Sequence, residues 1–317
     1  MKVLLFHPRL LPPVDYGGVE RVVLWLARGL IERGHEVWVA AWRGSRLPDG
    51  ARLVEMGPEE LGEDEILRRL PRGLDVIHYQ APVAGTLWER SPAAPLLTVH
   101  GNGKPGEIYP QQTVFLSEDH ARRHGRSRYV HNGIDPSEYR FEPRAKSNHV
   151  LFLSKTSWSV KNLRGAMRLC RKARTPLWIA GGSRPFGLRA QAWMTPGQSW
   201  IGPVAGEKKA ELLCRAKTLL FPIRWPEPFG LVVAEALISG TPVLASRLGS
   251  LPELVSPEVG KLLDLEDEAA WVEALSSDRA LAEPEACRQW AMDRFHYSRM
   301  ALSYESVYQR VLQGNPL

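Results

Sequence analysis

Short runs of apolar, β-branched residues alternate along the chain with stretches whose apolar positions recur every three or four residues. The first kind predicts buried strands and the second amphipathic helices. Val3–His7 reads as a strand. A loop with Pro8, Pro12, Pro13, Gly17 and Gly18 follows. Val19, Val22, Val23, Leu26 and Leu30 then fall at helical spacing, with a stop at Gly34. Further strands are predicted at Glu36–Trp42, Asp75–Tyr79, Leu96–Val99 and Thr113–Leu116. The polar stretch 44–73 carries no clear period. Around Asn132-Gly-Ile-Asp-Pro136 the alternation breaks, and turn-rich sequence runs to about Asn148. A second alternation follows. Its strands are His149–Ser154, Leu177–Ala180, Trp200–Gly202, Thr218–Pro222, Pro242–Ser246 and Lys261–Leu265. Its helices are Asn162–Arg174, Glu207–Ala216 and Leu251–Val255. Three helical patterns close the chain, at 267–276, 279–295 and 298–313. Such alternation is that of parallel, doubly wound sheets. The expected fold is α/β with two Rossmann-like domains facing across a cleft. The expected limits are 1–145 and 146–297, followed by a final helical segment, 298–317.

Composition narrows this picture. The chain has 317 residues, 44% apolar and 24% charged, which fits a water-soluble globular protein. No apolar run approaches the ~20 residues of a membrane span, and the N-terminus enters a strand pattern without a signal-like core. Cys170, Cys214 and Cys287 are widely spaced, as expected for reduced core thiols. A cytoplasmic location is the expectation. The net charge of +6 is unevenly spread: residues 141–225 hold 16 basic and 3 acidic side chains, residues 226–317 hold 7 and 14. A basic middle third suits a phosphorylated small molecule, a nucleic acid or an anionic membrane face. It equally suits an Arg-rich solvated surface, since Arg outnumbers Lys 31 to 10. No nucleic-acid motif with interleaved aromatics is present, so no nucleic-acid partner is expected.

The stretch Glu227-Pro-Phe-Gly-Leu-Val-Val-Ala-Glu235 carries the most specific chemistry. Glu227 is predicted on a loop after a strand, Gly230 at a helix start, and Glu235 more than a turn inside that helix. The helix stops at Gly240, Thr241 and Pro242. Free N–H groups at a helix start attract anions. Residues 231–238 are nearly all apolar apart from Glu235, so the helix should be buried. An unpaired carboxylate there would be costly, and a bound ligand would explain it. Two carboxylates could also serve as the acid and nucleophile of glycoside hydrolysis, but one on a loop and one inside the next helix fit that poorly. Gly17 and Gly18 precede a helix and would let a diphosphate or acceptor approach the backbone, or form a plain strand–helix turn. Glu20 and Arg21 are first-turn residues that read as surface charges. His100 ends a strand before Gly101-Asn-Gly103, where ligands gather in open α/β sheets; His78 and His131 compete with it. Lys155 and Lys161 flank a loop containing Trp158, and as free ammonium groups they could neutralise a diphosphate.

The ordered set of motifs resembles the retaining glycosyltransferases of family 4, which have the GT-B fold. The set is Gly17-Gly-Val-Glu-Arg21, Thr98-Val-His100, Asn132-Gly-Ile-Asp135, Ser154-Lys with Lys161-Asn162, Ile179-Ala-Gly-Gly182, the two glutamates eight positions apart, Gly240-Thr-Pro-Val243 and Leu251-Pro-Glu253. The resemblance spans nearly the whole chain, and it implies that the final helix, 298–317, returns to the first domain. It implies that His100 contacts the transferred sugar, Glu227 the same sugar, and Glu235 the ribose hydroxyls. It further implies that the N–H groups near Phe229, Gly230 and Leu231 hold the phosphates, and that the neighbourhood of Ile201 holds the base. The family usually has Arg where this chain has Lys155, which keeps the charge and loses the bidentate fork.

On this basis the expected catalytic set is His100, Glu227 and Lys161. The donor-binding set comprises Gly18, Lys155, Lys161, Gly182, Ile201, Glu227, Phe229, Gly230, Leu231 and Glu235. Gly17 and Arg21 fall on the acceptor side. No metal or cofactor is expected, because no Asp-x-Asp pair occurs. The nucleotide-sugar, with UDP-sugar the leading choice, is a substrate. The expected reaction is retaining, metal-independent transfer to a glycan, lipid-linked or small-molecule acceptor, with peripheral contact at the inner membrane face left open. Another GT-B enzyme, such as a phosphorylase or nucleotide-sugar epimerase, or a non-catalytic binder on the same scaffold, remains an alternative.

Overall fold

The computed structural model describes residues 1–13, 17–57, 61–104, 106–182, 197–315 and 317. Arg184 and Arg189 of the basic middle third lie outside them. The chain forms two units, Met1–Ile134 with Phe295–Leu317, and Asp135–Arg294.

The first unit holds β1 (Lys2–Phe6), α1 (Gly18–Glu32), β2 (Glu36–Trp42), β3 (Arg52–Met56), α2 (Glu63–Arg69), β4 (Val76–Tyr79), α3 (Gly85–Glu89), β5 (Ala94–Thr98), β6 (Thr113–Val114) and α4 (Glu118–Arg123). Its sheet runs β3-β2-β1-β4-β5-β6, with every pair parallel. The central strands are apolar on both faces because helices cover both, as parallel sheets require. The second unit holds β7 (Val150–Leu153), α5 (Leu163–Lys172), β8 (Leu177–Ala180), β9 (Gln198–Gly202), α6 (Gly206–Arg215), β10 (Thr218–Phe221), α7 (Leu231–Ile238), β11 (Val243–Ser246), α8 (Leu251–Leu254), β12 (Gly260–Leu263), α9 (Glu268–Ser276) and α10 (Pro284–Phe295). Its sheet runs β12-β11-β10-β7-β8-β9, again all parallel. α5 and α9 pack on one face, where Leu163, Met167 and Trp271 meet Phe152, Leu220 and Leu244.

Both sheets therefore have the same doubly wound order. In each, the chain leaves the middle in one direction and later returns to run the other way. The reversal falls between β1 and β4 in the first unit and between β7 and β10 in the second. In open sheets of this order, ligands bind beyond the carboxyl ends of the strands at the reversal.

The final helix α11 (Tyr297–Leu312) belongs to the first unit. It lies against α1 so closely that a Cβ on Gly29 would come 2.7 Å from Ala301 Cβ. The Tyr304 hydroxyl and Thr98 Oγ1 are 2.8 Å apart, and Tyr308 Oη is 2.9 Å from His78 Nδ1. The boundaries differ from those expected. The turn-rich stretch after Ile134 belongs to the second unit, because Tyr139 packs into it and donates its hydroxyl hydrogen to Glu235. The C-terminal crossing comes at Phe295, because Ile134 N–H donates to Phe295 O and Tyr297 N–H donates to Ile134 O. The helix expected from 279 begins at Pro284, and the strand expected at Thr113–Leu116 ends at Val114.

Candidate functional site

In the second unit, β7 and β10 end at the sheet's reversal, and each feeds one half of a polar cluster. After β7 a loop carries Lys155, Trp158 and Lys161. Asn162 then takes a left-handed turn (φ 58°, ψ 43°), with its side chain accepting from Gly165 N–H and donating to Pro222 O. That fork ties the start of α5 to the end of β10 and fixes Lys161 between them. After β10 the chain bends through Arg224, Trp225 and Pro226 to Glu227. Arg224 N–H donates to Val160 O, tying the two loops together.

Lys161 Nζ is 2.6 Å from Glu227 Oε2, and both side chains are largely buried. The Trp225 indole N–H donates to the same oxygen at 2.7 Å. The Lys161 ammonium also lies 4.7 Å from the Trp225 ring centre and 5.3 Å from that of Phe221. Lys161 is therefore not the free ammonium expected from the sequence; the folded loops bring a carboxylate and two aromatic faces to it. Lys155 is exposed, with its ammonium 4.8 Å from the Trp158 ring centre. Trp158 is 43% exposed and meets Trp225 edge to face at 5.8 Å.

Gly230 caps α7 with φ 87°, a conformation that favours glycine, and no side chain caps the helix. Phe229 is buried beneath it, and Leu231 opens the helix half-buried. The loop is held from below by Ser250, whose N–H donates to Glu227 O at 3.0 Å and whose hydroxyl donates to Phe229 O at 2.6 Å. Gly182 lies against Thr156, whose Oγ1 would be 2.4 Å from an added Cβ, and its carbonyl accepts from the Trp200 indole. Ile201 is half-buried in β9.

Glu235 corrects a second expectation. It is only 3% exposed, yet the protein itself partners it. Lys209 Nζ on α6 donates to its Oε1 at 2.7 Å, and the Tyr139 hydroxyl donates to the same atom at 2.9 Å. A bound ligand is therefore not needed to account for this buried carboxylate. Sequence reasoning missed both partners, as it missed Trp225. The available signal was a lysine on the apolar side of an amphipathic helix, beside Ala210 and Leu213.

The first unit gathers a different set at its own reversal. His7 follows β1, Gln80 follows β4 and His100 follows β5. His100 Nε2 is 2.9 Å from Gln80 Oε1. Burial, reinforced by nearby His7, lowers its pKa to about 3, so its ring is neutral. Glu20 is 3.6 Å from His7, which holds its carboxyl below the usual range; it is part of this cluster and not a surface charge. Arg21 turns back along its own helix, its Nε donating to Gly17 O and its guanidinium 5.3 Å from the Trp25 ring. The space above Gly17 is filled by protein: an added Cβ would come 2.5 Å from Pro13 and 2.6 Å from Glu20 Oε2. Gly17 thus permits close packing of its own loop, and Gly18 opens α1. Of the competing histidines, His78 is fully buried between Tyr308 and Thr98, and His131 lies tilted beside Tyr129 and edge-on to Phe295.

Residues 147–277 match the model of the family described as "Glycosyl transferases group 1". The second unit is similar to these glycosyltransferases through most of its length. Among curated proteins, the D-inositol 3-phosphate glycosyltransferase of Corynebacterium kroppenstedtii is 33% identical over 123 residues, covering 37% of this chain and 27% of that protein. The chain matches under a third of the length of the first curated relatives. Among solved structures, AviGT4, a glycosyltransferase involved in avilamycin A biosynthesis, aligns at TM-score 0.82 with 26% identity, covering 99% of this chain and 98% of that one. Anabaena Alr3699/HepE in complex with UDP-glucose aligns at TM-score 0.74 with 16% identity, covering 98% and 100%. The two parallel-sheet α/β domains match the GT-B glycosyltransferase fold.

Proposed function

We propose that the chain transfers a sugar from a nucleotide-sugar donor to an acceptor hydroxyl, with retention of anomeric configuration and without a metal ion, as a glycosyltransferase of family 4. The carrying observation is the set of groups at the reversal of the second sheet, within the segment that matches the group 1 glycosyltransferases: Lys161, Glu227, and the uncapped start of α7 between Glu227 and Glu235. A nucleoside diphosphate leaving group needs positive charge and directed N–H donors. Lys155, Lys161 and the α7 start supply both, and none of them needs a metal. Glu227 then offers its carboxylate to a hydroxyl of the transferred sugar. Glu235 offers its carboxylate to the ribose, held in place by Lys209 and Tyr139. His100, neutral at physiological pH, donates or accepts one hydrogen bond to the sugar. In this reading no side chain forms a covalent bond with the sugar; the leaving diphosphate takes the acceptor proton, and the new glycosidic bond forms on the face that the diphosphate leaves. A protein of similar fold holds UDP-glucose, which makes UDP-glucose the first donor to test. The reading also places the protein in the cytoplasm, working on a glycan, lipid-linked or small-molecule acceptor; no helix among the described residues is long and apolar enough to cross a membrane.

The test is calorimetric binding of UDP-, GDP-, ADP- and dTDP-sugars, followed by release of nucleoside diphosphate with and without EDTA. One donor is expected to bind and to be consumed equally in EDTA. Absence of binding to all four sinks the donor reading, and loss of turnover in EDTA sinks the metal-free one. An inverted product, read by NMR of the anomeric proton, overturns retention.

A further inference from the structure

The aromatic residues beside Lys161 have no part in the scheme above, yet one of them touches both of its charged groups. We propose that Trp225 is a positioning residue, which aims Glu227 through its indole N–H and seats the Lys161 ammonium on its ring face. This rests on the glycosyltransferase reading and deepens it.

The geometry leads there directly. Glu227 Oε2 receives two donors, Lys161 Nζ at 2.6 Å and Trp225 Nε1 at 2.7 Å. No hydrogen bond to Glu227 Oε1 is seen among the described residues, so that oxygen is the one available to a hydroxyl. The two donors differ in kind. An ammonium on a four-carbon stem can swing to another anion, and a diphosphate carries more charge than a carboxylate. If Lys161 turns toward the donor phosphates, Glu227 loses one of its two anchors at the moment the sugar must be held. The indole N–H does not turn away: it donates only, carries no charge and is fixed by a bulky ring. That ring is itself braced, edge to face, by Trp158 at 5.8 Å. It stands 4.7 Å from the Lys161 ammonium, within the range of a cation–π contact. The same side chain thus keeps the carboxylate aimed while giving the ammonium a second resting place that does not compete for the carboxylate.

Trp225→Phe keeps the ring face and removes the N–H, whereas Trp225→Leu removes both. Turnover of the donor that wild type uses is expected to fall about tenfold or more in Trp225→Phe, the scale of one lost hydrogen bond to a charged group. Affinity for the free nucleoside diphosphate should stay within about twofold, because the cation–π seat is kept. In Trp225→Leu that affinity should fall as well. A merely structural tryptophan would lower both quantities together in both variants. The indole N–H resonance in a 15N–1H spectrum provides a readout that needs no substrate. The Trp225 signal, assigned by its loss in Trp225→Phe, should move upfield in Glu227→Ala and stay in place when the nucleoside diphosphate binds. An unmoved signal in Glu227→Ala overturns the positioning role, as does unchanged turnover in Trp225→Phe. If wild type binds no nucleotide-sugar, the donor reading fails, and the spectrum alone decides whether Trp225 holds Glu227.

Discussion

Glu235 shows what a sequence can and cannot say about one residue. Its apolar flanks announced burial, and the structure has it 3% exposed. What they could not announce was the partner, because Tyr139 is 96 positions away and Lys209 is 26. Burial is written into local pattern; pairing is written into the fold. The pairing makes a stability prediction. Lys209→Met takes the ammonium away from a buried carboxylate, and breaking a buried pair costs about 3 kcal/mol. Tyr139→Phe removes one neutral hydrogen bond and should cost about 1 kcal/mol. In a Glu235→Gln background the Lys209→Met cost should shrink, since no charge is then stranded. Urea unfolding of wild type, the three single variants and the Glu235→Gln/Lys209→Met double variant measures all three quantities. A Lys209→Met change below about 0.5 kcal/mol, the level of an ordinary surface substitution, would show that the pair does not hold the helix.

Among elements, the interior strands of both sheets were readable because burial on both faces leaves an unbroken apolar run. β2 and β8 lie where the pattern places them, residue for residue. The elements the pattern does not show are surface ones. β3 is an edge strand of sequence RLVEM with two buried residues, and α2, EDEILRR, buries none. One repeat of buried positions, at Val54 and Met56, or none, as in α2, is too short a period to detect. The loop between β10 and α7 is a third case, in which the motif was legible and its support was not. Gly249, on a different loop, backs it so closely that a Cβ would come 2.3 Å from Glu227 N and 2.5 Å from Glu227 O. Gly230→Ala meets only ordinary contacts, the nearest at 3.4 Å, so its cost is that of a left-handed backbone, about 1–2 kcal/mol. Gly249→Ala carries a similar backbone cost at φ 60° and in addition must push the Glu227 backbone aside. It should therefore be the more destabilising of the two, and the one that weakens donor binding more. Thermal melts and calorimetry on both variants check the order; equal effects would mean the loop shifts without resistance.

At the scale of the whole molecule, the two units share a strand order but differ in how they meet acid. Most of the described histidines with lowered pKa values lie in the first unit. Burial lowers His78 well below the usual 6.5, His100 to about 3 and His120 to about 3, and lowers His35 as well; the second unit contributes His149. Each of these rings is neutral in the folded protein and takes a proton once unfolded. The sign follows: above pH 6.5 both states are neutral and nothing is lost, while below it the unfolded state binds protons that the folded state refuses. Folding stability therefore falls as the pH drops from 6.5 toward 3, by about 1.4 kcal/mol per pH unit for each of His100 and His120, and in the same direction for the other three rings. With four in one unit and one in the other, the first unit should open first in mild acid. Hydrogen exchange near pH 5 and pH 7.5, compared after correction for the intrinsic rates, should show β1, β4 and β5 losing protection while β7, β10 and β11 keep theirs. Nucleoside diphosphate binding should follow the second unit and persist after the first has loosened, because Lys161, Glu227, Glu235, Trp225, Lys209 and Tyr139 come from residues 135–294. Simultaneous loss of protection in both sheets would show that the units unfold as one cooperative body, and loss from the second sheet first would overturn the histidine account.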